Sequence, residues 1–127
     1  MKNVFSGQVY KTLTYTAAKK GAPTWPKART FIQHFARWIH AHGIKESVTQ
    51  AAGSYDQVMI LGAAVTGTKS LDSDKIKRYL ETHPYSGVRG KYVWNATRHD
   101  GPPLSDFVFA LSKSLNNFGI VQRAPGQ

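Results

Sequence analysis

Two spacings of apolar residues in the first third of the chain predict a strand followed by a helix. Residues 8–15 alternate between apolar and polar positions, and their Val, Thr and Tyr side chains are typical of strands. Phe31, Phe35 and Trp38 then recur at the spacing of one helix face, with charged residues mostly on the other side. A proline suits the first position of this helix and a glycine follows its end, so we expect a helix over residues 26–42.

The middle of the chain predicts two further helices. Ser54 is a suitable N-cap for a helix over residues 55–66, and the apolar side chains of this segment surround it on nearly every side. A helix of that kind is expected to be buried. A third helix is expected to begin between residues 70 and 72 and to stop before Pro84, because the residue that precedes a proline avoids helical backbone.

The last third of the chain changes to strands and turns. Residues 88–94 alternate and predict a strand. The apolar segment 106–112 fits a strand or a helix, but a turn signal at 116–119 with apolar residues behind it favours a β-hairpin. The order of one strand, three helices and three strands predicts a single α/β domain over residues 1–127. Its three helices would pack on a small sheet that ends in a C-terminal hairpin.

The charge balance raises nucleic acid as a possible class of partner. The 127 residues include 17 basic and 7 acidic side chains, a net charge of +10, and eight basic against one acidic fall in the first 50. The cations are dispersed, and Arg89 and Lys91 alternate with Tyr92 and Trp94. That alternation turns the rings toward the helices and the cations toward solvent, so nucleic-acid binding is not expected. A small basic nucleic-acid-binding module stays as the alternative from another class of protein.

Few side chains carry the chemistry of a catalytic or metal site. The absence of cysteine excludes disulfides, thiolate metal sites and cysteine nucleophiles. The sequence also lacks a phosphate-binding glycine loop, a zinc-protease helix motif and a serine nucleophile elbow. Asp72 and Asp74 are explained as charges at a helix N-terminus. His34 and His42 lie two helical turns apart and His40 points elsewhere, so we expect no metal and no other cofactor.

Six sequence segments follow one another in an order known from one family, and the first is the strand segment Gly-Gln-Val-Tyr at 7–10. A Tyr-Asp-x-Val start opens an apolar helix within residues 51–65. The later segments are an Asp-x-x-x-Ile-x-x-x-Leu helix at 72–80, Ser-Gly-Val-x-Gly at 86–90, Val-Trp-Asn to His-Asp-Gly at 93–101, and the hairpin at 106–122. Together they resemble the leucine/isoleucine/valine-binding family, the type I periplasmic solute-binding proteins of ABC importers. The likeness covers residues 6–123 and only the C-terminal third of the family's chains.

The resemblance implies a partial lobe of a periplasmic-binding-protein-like (type I) fold, and a binding protein that is not an enzyme. Its ligand would be an amino acid or a similar small polar or carboxylate compound, enclosed by hinge closure between two lobes. Tyr55 is the one ligand-contact position of the family that carries over, and its ring is expected to face the cleft. Asp56 beside it is interpreted as a partner of the helix dipole in the first turn. Because the first lobe has no counterpart here, the chain alone is expected to bind at best weakly, and a ligand is expected to be enclosed only together with that missing lobe.

Partners and location follow from the same resemblance. The parent protein would be periplasmic and would deliver its ligand to an ABC permease, and this chain would be a truncated product or a fragment of it. Residues 1–8 lack the apolar core of an export signal, and no apolar run approaches the roughly 20 residues of a membrane helix. A partial lobe leaves a sheet edge open, which predicts a homodimer through that edge. A ligand-sensing receptor lobe of the same fold is a further alternative, since the fold does not separate transport from sensing.

Overall fold

The computed structural model describes residues 5–18, 23, 25–46, 48–115 and 119–127, and over these ranges the fold is mixed α/β. The described helices are α1 Pro26–Ala41, α2 Val48–Thr68 and α3 Ser73–Thr82. The described strands are β1 Phe5–Tyr10, β2 Tyr85–Ser86, β3 Lys91–Tyr92, β4 Phe107–Leu111 and β5 Gln122–Arg123. One antiparallel sheet has the order β1-β4-β5, and β2 pairs with β3 in a second one. The predicted α/β class is therefore confirmed at this level.

The hydrophobic core lies where α1 and α2 meet the segment that follows β1. It includes buried residues of that segment, of α1 and of α2, namely Leu13, Phe31, Ile32, Val48 and Ala52. α3 packs on α2, where the ring of Tyr79 lies directly against Gly67. In the described ranges no helix combines the length and the hydropathy needed to cross a lipid bilayer.

The first strand is shorter than its alternation predicts. β1 ends at Tyr10, and a 3-10 helix over Lys11–Leu13 follows it. Both the amide and the hydroxyl of Thr14 donate to the carbonyl of Lys11, at 3.3 and 2.9 Å, which closes this turn. The prediction of one strand over residues 8–15 is therefore wrong beyond Tyr10. Tyr15 returns to the sheet through an isolated parallel bridge to Gln122.

The limits of α1 and α3 confirm the sequence signals at their ends. α1 begins at Pro26 and stops before Gly43, which adopts a φ of +64°. The carboxylate of Asp72 accepts a hydrogen bond from the backbone N–H of Lys75 at 2.9 Å and so caps α3. α3 ends at Thr82, two residues before the proline that limits it.

The start of α2 contradicts the prediction that Ser54 caps a helix over residues 55–66. The helix begins at Val48, so Ser54 lies in its interior. Val48 packs into the core, and the alanines that follow it favour helix, so packing and propensity together outweigh a local cap. The expected burial on all sides is also wrong, because every fourth residue is buried while Val58 and Leu61 on the opposite face are 70% and 53% exposed.

The alternating segment 88–94 does not form the predicted single strand. β2 and β3 pair instead around a tight loop, closed by the Gly87 amide, which donates to the Gly90 carbonyl at 2.8 Å. Gly90 has a φ of +144°, a conformation that other residues rarely adopt. The amides of Val88 and Arg89 donate to a side chain and not to a neighbouring strand.

The C-terminal segment forms the predicted hairpin. β4 resolves the choice between strand and helix, and it pairs antiparallel with both β1 and β5. Of the predicted turn at 116–119, residues 116–118 lie outside the described residues. β4 is therefore the central strand of the sheet, and β1 and β5 are its two outer strands.

Candidate ligand groove

A buried carboxylate fixes the loop between β2 and β3, residues 87–90, which closes one end of the candidate site. Asp56 lies on the buried face of α2 and is only 1% exposed. Its Oδ1 accepts from the amide of Val88 at 2.7 Å. Its Oδ2 accepts from the amide of Arg89 and from the hydroxyl of Tyr92, both at 2.9 Å. Burial and the nearby Asp56 charge raise the pKa of Tyr92 far above its ordinary value of 10.0, so this hydroxyl stays a donor.

The same loop is held from its other side by α1 and the residue before it. The indole N–H of Trp25 donates to the carbonyl of Gly87 at 2.9 Å, and the ammonium of Lys27 donates to the carbonyl of Ser86. A Cβ added at Gly87 would lie 2.5 Å from Oδ2 of Asp56, so glycine is required for the close approach of loop and carboxylate. The loop is therefore clamped between α1 and α2.

An apolar groove runs between α1 and α2, with this loop at one end. Its volume is about 640 Å³, within the range of small-molecule sites. The residues of α1 that line it recur at helical spacing. They face Tyr55, Asp56 and Met59 of α2. The lining consists of Pro26, Lys27, Thr30, Phe31, His34, Phe35, Trp38, Tyr55, Asp56, Met59, Tyr85, Gly87 and Val88.

Aromatic rings form the walls of the groove. Phe31 and Phe35 stack with their centroids 5.4 Å apart and their planes within 10°, and Tyr55 tilts against Phe31 at 4.9 Å. Tyr55 is 44% exposed, so part of its ring remains open to a ligand. Trp38 stands at the far end, 52% exposed, and stacks on His42. Such walls suit a ligand with a flat apolar face.

The accessible charge in the groove is positive. Lys27 is exposed, and its ammonium lies 5.0 Å from the centroid of the Tyr85 ring. His34, also exposed, adds an imidazole one helical turn before Trp38. Among the described residues that line the groove, Asp56 is the one acid, and its carboxylate is buried and bonded to three donors. A ligand therefore meets one ammonium, one imidazole and several rings but no free carboxylate among the described residues of the lining.

The residues singled out from the sequence fall in different places. Tyr55 lies on the groove wall, whereas the interpretation of Asp56 as a first-turn dipole partner is wrong, because the helix starts eight residues earlier. Sequence reasoning missed the role of Asp56 as the anchor of the loop. Its signal was the one charged residue of a mostly apolar helix, followed 31 and 34 residues later by Gly87 and Gly90.

The remaining candidates give neither a metal centre nor a stacking surface. Of the three α1-region histidines, only His34 lines the groove, and the described residues hold no group of three His, Asp or Glu side chains that could bind a metal ion. Tyr92 is buried, as its alternation predicted. Arg89 does not face solvent as expected, since its guanidinium lies 3.9 Å from the centroid of the Tyr10 ring.

Comparisons with protein-family models, with curated proteins and with solved structures find no match to this chain.

Proposed function

We propose that this chain is the C-terminal part of a substrate-binding component of an ABC importer, of the leucine/isoleucine/valine-binding type. The observation that carries the proposal is the meeting of two segments on which the resemblance rests. The Tyr-Asp pair of α2 and the Ser-Gly-Val-x-Gly loop are joined by hydrogen bonds from the Val88 and Arg89 amides to Asp56. Beside this junction Tyr55 faces an open groove.

In this proposal the groove is one wall of a ligand cleft. Tyr55 and Phe31 contact the apolar part of a small carboxylate ligand, and a second lobe closes over it by a hinge motion. The parent protein is periplasmic and passes the ligand to an ABC permease. A single wall encloses little of the ligand, so the chain by itself binds weakly, with a dissociation constant of about 1 mM.

A titration followed by NMR tests this function on the 127-residue chain. Amino acids and small carboxylates are added, and the backbone amide shifts are mapped onto the structure. We expect shifts at the groove residues of α1 and α2. We expect Tyr55→Leu to raise the dissociation constant at least about threefold, because it removes the ring contact. Val58→Ala is the matched control, because Val58 lies on the same helix, is 70% exposed and does not line the groove.

The net charge of +10 favours one other function, binding of nucleic acid. An oligonucleotide titration at 50 and 200 mM salt separates the two functions, since phosphate contacts lose affinity steeply over that range. Strong, salt-sensitive oligonucleotide binding without any small-molecule shift in the groove would refute the transport proposal.

A further inference from the structure

We infer that the groove selects a ligand with a flat ring and a carboxylate but no amino group, that is, an aryl-substituted carboxylic acid. The inference rests on the proposed function of the groove as a ligand site, and it narrows the ligand class. The ring would lie against Phe31 and Tyr55, whose centroids are 4.9 Å apart, with Phe35 extending the same wall. The carboxylate would meet Lys27 at the loop end.

The position of Lys27 fits a ligand whose carboxylate lies at the loop end of the groove and whose ring lies further along α1. Its ammonium donates to the carbonyl of Ser86 and stands over the ring of Tyr85, which holds it at the end of the groove. An ammonium has three donors, so further donors remain for an anion. Lys27 and Phe31 are four residues apart on α1, a rise of about 6 Å. One or two methylene groups between ring and carboxylate can span that distance.

An amino group on the ligand is disfavoured because, among the described residues of the lining, no negatively charged acceptor is free to bind it. The carboxylate of Asp56 is 1% exposed and already accepts three hydrogen bonds. The carbonyls of Ser86 and Gly87 at the loop end already accept from Lys27 and Trp25. A ligand ammonium would therefore lose its hydration without gaining an anionic partner, and it would lie near the charge of Lys27.

Four probes that share one ring separate the contributions of ring and charge. The probes are phenylacetate, the neutral phenylacetamide, the cationic 2-phenylethylammonium and the zwitterion phenylalanine, each titrated at pH 7 with amide shifts as the readout. We expect phenylacetate to bind best. Phenylacetamide should bind about fivefold more weakly, the size of a partly exposed ion pair, and the two ammonium compounds should bind more weakly still.

Variants at Lys27 assign the anion contact. Lys27→Met should weaken phenylacetate about fivefold and phenylacetamide by less, because the amide loses a hydrogen bond but no ion pair while Trp25 and Asp56 still hold the loop, and Lys27→Arg should restore phenylacetate binding. Persisting phenylacetamide binding also shows that the variant is folded. Lys75→Met on α3 is the matched control, because it removes the same charge at an exposed residue outside the groove.

The outcomes distinguish a wrong ligand class from a wrong function. Phenylalanine binding as tightly as phenylacetate would overturn the inference and leave a ligand-binding groove in place. Equal binding of phenylacetate and phenylacetamide, or an equal loss in Lys27→Met and Lys75→Met, would overturn the role of Lys27. No shift in the groove with any small molecule would overturn the proposed function as well.

Discussion

Replacement of Asp56 by asparagine tests whether the buried carboxylate holds the loop around Gly87 against α2. The substitution keeps the shape of the side chain but replaces one acceptor oxygen by an NH2 group, which only donates. Whichever way the amide is turned, its NH2 faces the backbone N–H of Val88 or of Arg89, which now donate to the carboxylate at 2.7 and 2.9 Å. One buried N–H therefore loses its acceptor, and the charge that strengthens the other bonds is removed.

The expected loss follows from these two effects. A buried donor left without an acceptor costs about 1–3 kcal/mol. Replacing an ionised acceptor by a neutral one weakens the remaining hydrogen bonds by roughly half, or about 1 kcal/mol in total. We therefore expect Asp56→Asn to lower the free energy of unfolding by about 3 kcal/mol. For a chain of this length that corresponds to a decrease in Tm of about 10 °C.

Urea unfolding of the wild type and the variant measures this difference directly. Circular dichroism and tryptophan fluorescence follow the transition, and linear extrapolation gives the free energy of unfolding in water. Hydrogen exchange adds a local readout, because the amides of Val88 and Arg89 should exchange much faster in Asp56→Asn. The amide of Gly87, which donates to Gly90 and not to Asp56, should keep more of its protection.

Asp74→Asn is the matched control, since it makes the same chemical change at an exposed residue in the first turn of α3. It should lose about 0.5 kcal/mol through the helix dipole. A loss in Asp56→Asn no larger than that of the control would refute the view that the carboxylate anchors the loop. So would normal protection of the Val88 and Arg89 amides.

Two further predictions concern Tyr92 and the glycines of α2. The pKa of Tyr92 is raised by burial and by Asp56, so the folded chain keeps a proton that the unfolded chain releases near pH 10. The contribution of protonated Tyr92 to the free energy of unfolding is therefore fully present below pH 10 and declines above it. Tyr92→Phe should make the decline of that free energy with pH shallower, by up to about 1.4 kcal/mol per pH unit. Urea unfolding of both proteins at pH 9–11 measures the difference. Gly62→Ala should raise the free energy of unfolding by about 0.5–1 kcal/mol, because a Cβ there meets no neighbour and alanine favours helix. Gly67→Ala should lower it, because its Cβ would overlap the ring of Tyr79, and a gain in both alanine variants would contradict this packing.

Local signals were sufficient to predict where α1 and α3 lie. Pro26 and Gly43 mark the ends of α1 through backbone preferences that need no distant partner. Asp72 caps α3 through a hydrogen bond to an amide three residues away. The aromatic stripe of α1, with Phe31 and Phe35, was also visible because it depends on helical period alone.

The errors occur where distant contacts decide the local conformation. Residues 88–94 alternate like a strand, but the carboxylate of Asp56, 32 residues earlier, takes the Val88 amide that would have joined a sheet. The start of α2 at Val48 depends on packing into a core built from other elements, so the local capping preference of Ser54 does not decide it. Local sequence patterns therefore mispredict the segments that α2 and the loop fix through contacts distant in sequence.

The candidate site shows the same division. The family resemblance predicts Tyr55 as a ligand contact, and helical period predicts the aromatic stripe of α1. That both face one groove depends on how α1 crosses α2, which neither pattern contains. The role of Lys27 was also hidden, because a lysine near a helix start has no distinctive sequence signal, and its contacts are to residues about 60 positions away.

The contacts around the loop hold the two sides of the groove together, as the proposed function requires of a binding wall. Asp56 ties the loop to α2, and Trp25 with Lys27 ties it to α1, so both sides of the groove are joined at one end by hydrogen bonds. A wall fixed in this way does not have to be ordered when a ligand arrives, which lowers the entropic cost of binding. Asp56 can therefore govern affinity without touching the ligand. Loosening it should weaken phenylacetate binding together with protection of the Val88 amide. Lys27→Met leaves the bonds of Asp56 and Trp25 to the loop in place, so it should weaken phenylacetate binding and leave the Val88 amide protected.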